Sequence, residues 1–305
     1  MRLIEPLCLC VIAAALIALP AQAQTPPSAP AAAVAPSAPA PRTWQRYEQT
    51  NRVQLRDVAA FVRITPENRT DILVAVHNPG PLPAPTFRIA RDRLMIDGRL
   101  RRQFRGCRVV GPGFEVTTAR QGRLNTEQLP VIDLRVPQNA VVSASGAVRL
   151  RMGPSQTADV ALNGCGDADI ERVADEAEIS LAGSPDLRLH DAGTATIAVA
   201  GAGDITAGVI RNGLTISIAG AGDFVAARAD GPTSIAIQGS GDVTIRDGRA
   251  TTLSVVIAGA GDVFHNGSAE QLDAVILGAG DVRVRHVEGE VTRRVIGGGE
   301  VVVGR

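Results

Sequence analysis

Residues 201–204 read Gly-Ala-Gly-Asp, and the pattern returns as Gly220-Ala-Gly-Asp223, Gly239-Ser-Gly-Asp242, Gly259-Ala-Gly-Asp262 and Gly278-Ala-Gly-Asp281. Weaker copies flank this run: Gly164-Cys-Gly-Asp167 and Gly183-Ser-Pro-Asp186 before it, and Gly297-Gly-Gly-Glu300 after it. Ser143-Ala-Ser-Gly-Ala147 fits as a first copy. The acidic position falls at Asp167, Asp186, Asp204, Asp223, Asp242, Asp262, Asp281 and Glu300, at intervals of 18 to 20 residues. A fixed period of that length marks a repeat protein whose units stack on one another.

Within each repeat the apolar period is two. Thr215-Ile-Ser-Ile218 leads into Gly220, and Val243-Thr-Ile245 follows Asp242. Alternation bounded by glycine clusters is a strand signature. A second turn carries Asn212-Gly213, Asp230-Gly231-Pro232 or Asp247-Gly248. So short a unit cannot bury its own face, and parallel stacking at roughly 4.8 Å per coil is the remedy. The expected fold is all-β, a parallel β-helix (solenoid) with coils of about 19 residues. Its narrow interior suits aligned Ile, Val, Leu and Ala and would be overfilled by a ring. Only 3% of the chain is aromatic, and Phe224 and Phe264 are the two rings in the repeats. Stacking also sets the corner acids in a column, where each carboxylate is expected to accept N–H groups of its own corner. One acid per corner supplies too few oxygens for calcium, so no metal or cofactor is expected.

Four segments follow. Residues 1–23 read as a signal peptide, with Arg2, an apolar run over Leu7–Leu19 and Ala21-Gln-Ala23 as cleavage site. The apolar run is too short for a transmembrane anchor. Residues 24–43 are a Pro/Ala-rich linker. Residues 44–135 are expected to form irregular first coils and a cap, holding six of the eight aromatic residues. Residues 136–305 carry the regular repeats. Past the signal only Cys107 and Cys165 remain, an even pair that predicts a disulfide in an oxidising compartment.

The 31 basic residues balance 31 acidic ones, and every basic residue is Arg. Zero net charge argues against nucleic acid as a partner, and the absence of Lys excludes Schiff-base and P-loop lysine chemistry. The balance hides a segregation. Residues 42–135 hold 17 Arg and 9 acids, net +8, whereas 136–305 hold 13 Arg and 21 acids, net −8. Arg91, Arg93, Arg99, Arg101, Arg102, Arg105 and Arg108 fall within 18 residues, a candidate patch for an anionic ligand. Opposite charge at the two ends also allows a homo-oligomer. Candidate catalytic residues are absent: no Gly-x-Ser-x-Gly elbow or His-Glu-x-x-His is present, and His265 and His286 fall in strand positions.

The serial Gly-x-Gly-Asp-[Ile/Val/Phe] run, the amphipathic start at Val53–Ile64 and the stretch Gly261-Asp-Val-Phe-His-Asn-Gly267 resemble the family described as putative auto-transporter adhesin, head GIN domain. That resemblance covers about residues 50–305. It implies a single-stranded, right-handed β-helix in a bacterial envelope protein. Gly183-Ser-Pro-Asp186 lacks the second Gly and the last copy carries Glu300, two departures from the pattern. The expected function is a non-enzymatic module, exported to the periplasm, outer envelope or cell exterior, that binds an envelope or surface polysaccharide or protein. The alternative is a polysaccharide lyase or hydrolase using the corner acids.

Overall fold

The computed structural model describes residues 43–48, 50–111 and 113–304. The signal expected over 1–23 and nearly all of the linker expected over 24–43 lie outside the described residues. The described chain is a β-solenoid of about nine turns, each of about 19 residues.

The repeat converts directly into register. Ile197, Ile216, Ile235, Val255 and Ala274 occupy one interior row on successive parallel strands. All five are essentially excluded from water. Burying a Val, Leu or Ile side chain contributes about 1.5–3 kcal/mol, so the rows, more than any single coil, stabilise the rod. Outward residues between them, such as Thr215 and Ser217, are exposed. One ring does enter the interior. Phe224 is fully buried between Ile205 and Val243 in its row, so the coil is wide enough for a ring where its stacked neighbours are aliphatic. Phe264 instead points out and lies under the Arg283 guanidinium, 5.3 Å from the ring centre.

The glycines hold the coils close. A Cβ on Gly201 would sit 1.8 Å from the Gly183 carbonyl oxygen, and its φ of +148° is one that side chains disfavour. At the third position the limit is approach alone: a Cβ on Gly222 would meet the Gly203 oxygen at 2.2 Å. The strands Val141–Met152, Ala158–Ile170 and Val173–Leu189 run straight through their corners. From Gly201 onward the strand breaks at each corner.

Before the regular coils the chain changes character. Strand Arg52–Glu67 pairs in parallel with Val141–Met152 on one edge. On its other edge lie two separate strands, Arg93–Asp97 and Val131–Pro137. Antiparallel partners then close the end: Thr86–Ala90 on the first, Ile72–His77 on the second. Residues 98–130 leave the coil and form an antiparallel sheet of Phe104–Val110, Gly113–Thr118 and Gly122–Leu124. Leu100, Phe114, Val116 and Leu124 of this insert pack with Ala59 and Ala147 of the coils in a second, small core, with Phe61 edge-on to Phe114 at 6.1 Å. A disulfide joins Cys107 of the insert to Cys165 of the corner column, with Cα atoms 6.2 Å apart.

Candidate functional site

The corner acids do form a column, but its bonding differs from the own-corner turn expected of it. Each carboxylate accepts the backbone N–H of the acid in the next coil. Asp186 takes that of Asp204 at 3.1 Å, Asp204 that of Asp223 at 3.2 Å, and Asp223 that of Asp242 at 2.9 Å. Asp242, Asp262 and Asp281 continue the ladder to Glu300, at 2.8, 2.8 and 2.9 Å. The reason lies in the broken strand. Where the ladder of backbone bonds lapses at the corner, an N–H needs another acceptor, and the carboxylate one coil away supplies it. Ionised acceptors make the stronger bonds, which offsets the repulsion of stacked like charges.

Asp167 stands apart. The corresponding position one coil earlier is Arg149, whose Nε lies 3.1 Å from Asp167 Oδ2. Burial raises the Asp167 carboxyl above its usual range, with the Arg149 charge opposing. Val109 of the insert, Arg149, Asp167 and Asp186 line a cleft of about 540 Å³ over the start of the column.

The seven-Arg stretch does not act as one patch. Arg93 is 3.4 Å from Asp92, at the far end of its strand, where Arg91 also lies. Arg108 pairs with Glu115 at 2.9 Å. Arg99, Arg101, Arg102 and Arg105 stay together on the turn into the insert and its first strand, all exposed.

Two clefts escaped the sequence reading. A trough of about 550 Å³ runs along five coils on the sheet preceding the glycine corner. Its outward residues are short: Ser143, Ala161, Ser180, Ala198 and Ser217 form one row, Ser145, Asn163, Ala182, Ala200 and Ala219 the next. No ionisable residue lines it. Its signal in the sequence is the small residue at successive outward positions of each repeat, a pattern that carries no reactive group. Farther along the same face the residues turn apolar, at Val256, Leu277 and Ile296. The second cleft, of about 640 Å³, holds the most enzyme-like group. Asp169 lies between His190 Nε2 at 3.0 Å and Arg151 at 2.9 Å. Thr65 supplies the hydroxyl that lines that cleft, and Asp169, Glu171 and Asp191 its carboxylates.

Of the other histidines, His265 is fully buried and its Nε2 lies 3.1 Å from the Ser268 carbonyl. Among the described residues no cluster of three or more His, Cys, Asp or Glu is arranged to hold a metal ion. No helix there is long and apolar enough to cross a membrane.

The fold and its surface thus define a parallel β-solenoid whose corner acids serve the backbone. Residues 209–304 match the family model described as putative auto-transporter adhesin, head GIN domain. Among solved structures, the chain is similar to a putative adhesin from Parabacteroides distasonis ATCC 8503. That pair shares 14% identity over 86% of this chain and 97% of that one, with a TM-score of 0.48. A putative adhesin from Parabacteroides merdae ATCC 43184 shares 16% identity over 87% and 97%, with a TM-score of 0.43. A structure described as a putative lipid binding protein from Parabacteroides distasonis ATCC 8503 shares 14% identity over 88% and 98%, with a TM-score of 0.46. A comparison with curated proteins finds no match.

Proposed function

We propose that this protein is an exported, adhesin-like binding module that works by contact and carries out no reaction. The match of residues 209–304 to an adhesin head domain supports the class. The trough carries the reading. It offers about 550 Å³ of shallow, uncharged surface along five coils, suited to an extended chain that lies across the strands. Short side chains allow close approach of a ligand backbone, and the serines and Asn163 supply hydrogen-bond partners. An uncharged polysaccharide or an extended peptide of the cell envelope fits those terms. Export to the envelope or cell exterior agrees with the signal read in residues 1–23 and with the paired cysteines.

The test is a binding screen of the full chain against envelope polysaccharides and surface proteins, repeated with Ser180→Phe and Ala198→Phe. Both positions face solvent, so the added rings fill the trough without entering the core. Loss of binding in both variants, with unchanged thermal unfolding, is the expected result. Cleavage of a polysaccharide by the wild type that disappears in His190→Ala would replace this reading with the enzymatic one.

A further inference from the structure

Half of the arginines described in residues 136–304 face an acid. Arg151, Arg211, Arg228 and Arg249 all lie within 3.3 Å of a carboxylate one or two coils away. The turn into the insert gathers several that do not. Arg99, Arg101, Arg102 and Arg105 make no ion pair among the described residues. Two more unpaired arginines join them from distant parts of the sequence. Arg56 lends its carbonyl to the Gly98 N–H at 2.9 Å, and Arg120 follows Ala119, whose N–H donates to the Gln103 carbonyl at 2.7 Å. Two acids stand nearby. Asp97 turns one oxygen to the Arg99 N–H at 2.7 Å, and the Asp57 carbonyl accepts the Leu100 N–H. Six guanidinium groups against two carboxylates leave a strong local excess of positive charge.

The turn is also held rigidly in an unfavourable shape. Arg99 and Arg102 have φ of +60° and +59°, a region that side chains seldom occupy and that persists only when the surroundings enforce it. Leu100 between them is buried in the second, small core, and Cys107 ties the following strand to the solenoid. Charges crowded onto a fixed turn repel one another until a multivalent anion is shared between them. Arginine's planar fork grips phosphate oxygens two at a time, and a preformed site loses little entropy on binding.

We propose that Arg56, Arg99, Arg101, Arg102, Arg105 and Arg120 form a binding site for closely spaced phosphate groups, as carried by an anionic lipid headgroup or by a soluble polyphosphate. The site goes beyond the trough and does not depend on it. Its test uses the full chain with two probes, inorganic tripolyphosphate and vesicles of phosphatidylglycerol in phosphatidylcholine. The triple variant Arg101→Gln, Arg105→Gln, Arg120→Gln leaves the two left-handed residues in place. It is expected to weaken binding at least about tenfold, while Arg285→Gln with Arg294→Gln, two unpaired arginines elsewhere, leaves binding unchanged. Vesicle binding that tripolyphosphate displaces assigns a headgroup; tripolyphosphate binding without vesicle binding assigns a soluble ligand. The proposal is overturned if neither probe binds at low salt, if the control pair loses as much, or if polygalacturonate of equal charge competes equally well. Trough variants that keep tripolyphosphate binding separate this result from the fate of the adhesin reading.

Discussion

His265 occupies an interior position that the adjoining coils fill with Ile245 and Val284. Its parity was legible, since Val263-Phe-His265 alternates in, out, in, but alternation gave no reason for an imidazole among aliphatics. Burial pushes its pKa below the ordinary histidine range, with the Ser268 carbonyl and the Asp247 charge opposing. The native state therefore holds the ring neutral while the unfolded chain takes up a proton near pH 6.5. Stability is full above that pH and falls as the pH drops toward the native pKa, by about 1.4 kcal/mol per pH unit within the window. Urea unfolding between pH 7 and pH 5 should show this slope. His265→Leu should flatten it, and an unchanged slope in the variant would assign the acid sensitivity to other groups.

The coil is the element that the sequence exposed most clearly, because glycine at two fixed corners and apolar residues at every second position leave few alternatives. The middle corner residue shows how fine the constraint is. Gly201 has no room for a Cβ, whereas a Cβ on Gly298 meets nothing within 4 Å. Gly201→Ala should cost about 2–4 kcal/mol through forced separation of coils and an unfavourable φ, while Gly298→Ala should fall within about 0.5 kcal/mol of wild type. Denaturant midpoints of the two variants check the contrast. The direction of the corner carboxylates was not legible. It depends on where the strand breaks, and the continuous corners at Ala158–Ile170 and Val173–Leu189 differ from the broken ones by carrying Cys165 and Pro185.

At the scale of the molecule, the even pair of cysteines pointed to the disulfide, yet nothing in the spacing showed that it fastens an insert to a corner. Residues 98–130 obey no period, and their antiparallel pairings join segments that only the folded chain brings together. The same applies to the arginines. Seven were adjacent in sequence, but folding sends Arg91 and Arg93 away and brings Arg56 and Arg120 in. The disulfide closes a span of 58 residues and is expected to contribute roughly 4 kcal/mol. Because the core beneath the insert is separate from the interior rows of the coils, Cys107→Ser should loosen the insert without dissolving the coils. Trypsin under native conditions should then cut first between Arg99 and Arg123, with the strand content of the repeats retained. Cutting that begins among the repeats would show that the coils themselves rely on the bridge.

The backbone bonds between coils run along the stack, with the antiparallel cap at one end and the final strands Val291–Gly297 and Val301–Val303 at the other. Tension applied between these ends therefore pulls along the bonds and not across them. Coils would detach one after another, each giving up about 19 residues, or roughly 65 Å of extended chain. The crosslink near the cap would hold back the length between its two cysteines. A rod built this way lengthens in nearly equal steps under load.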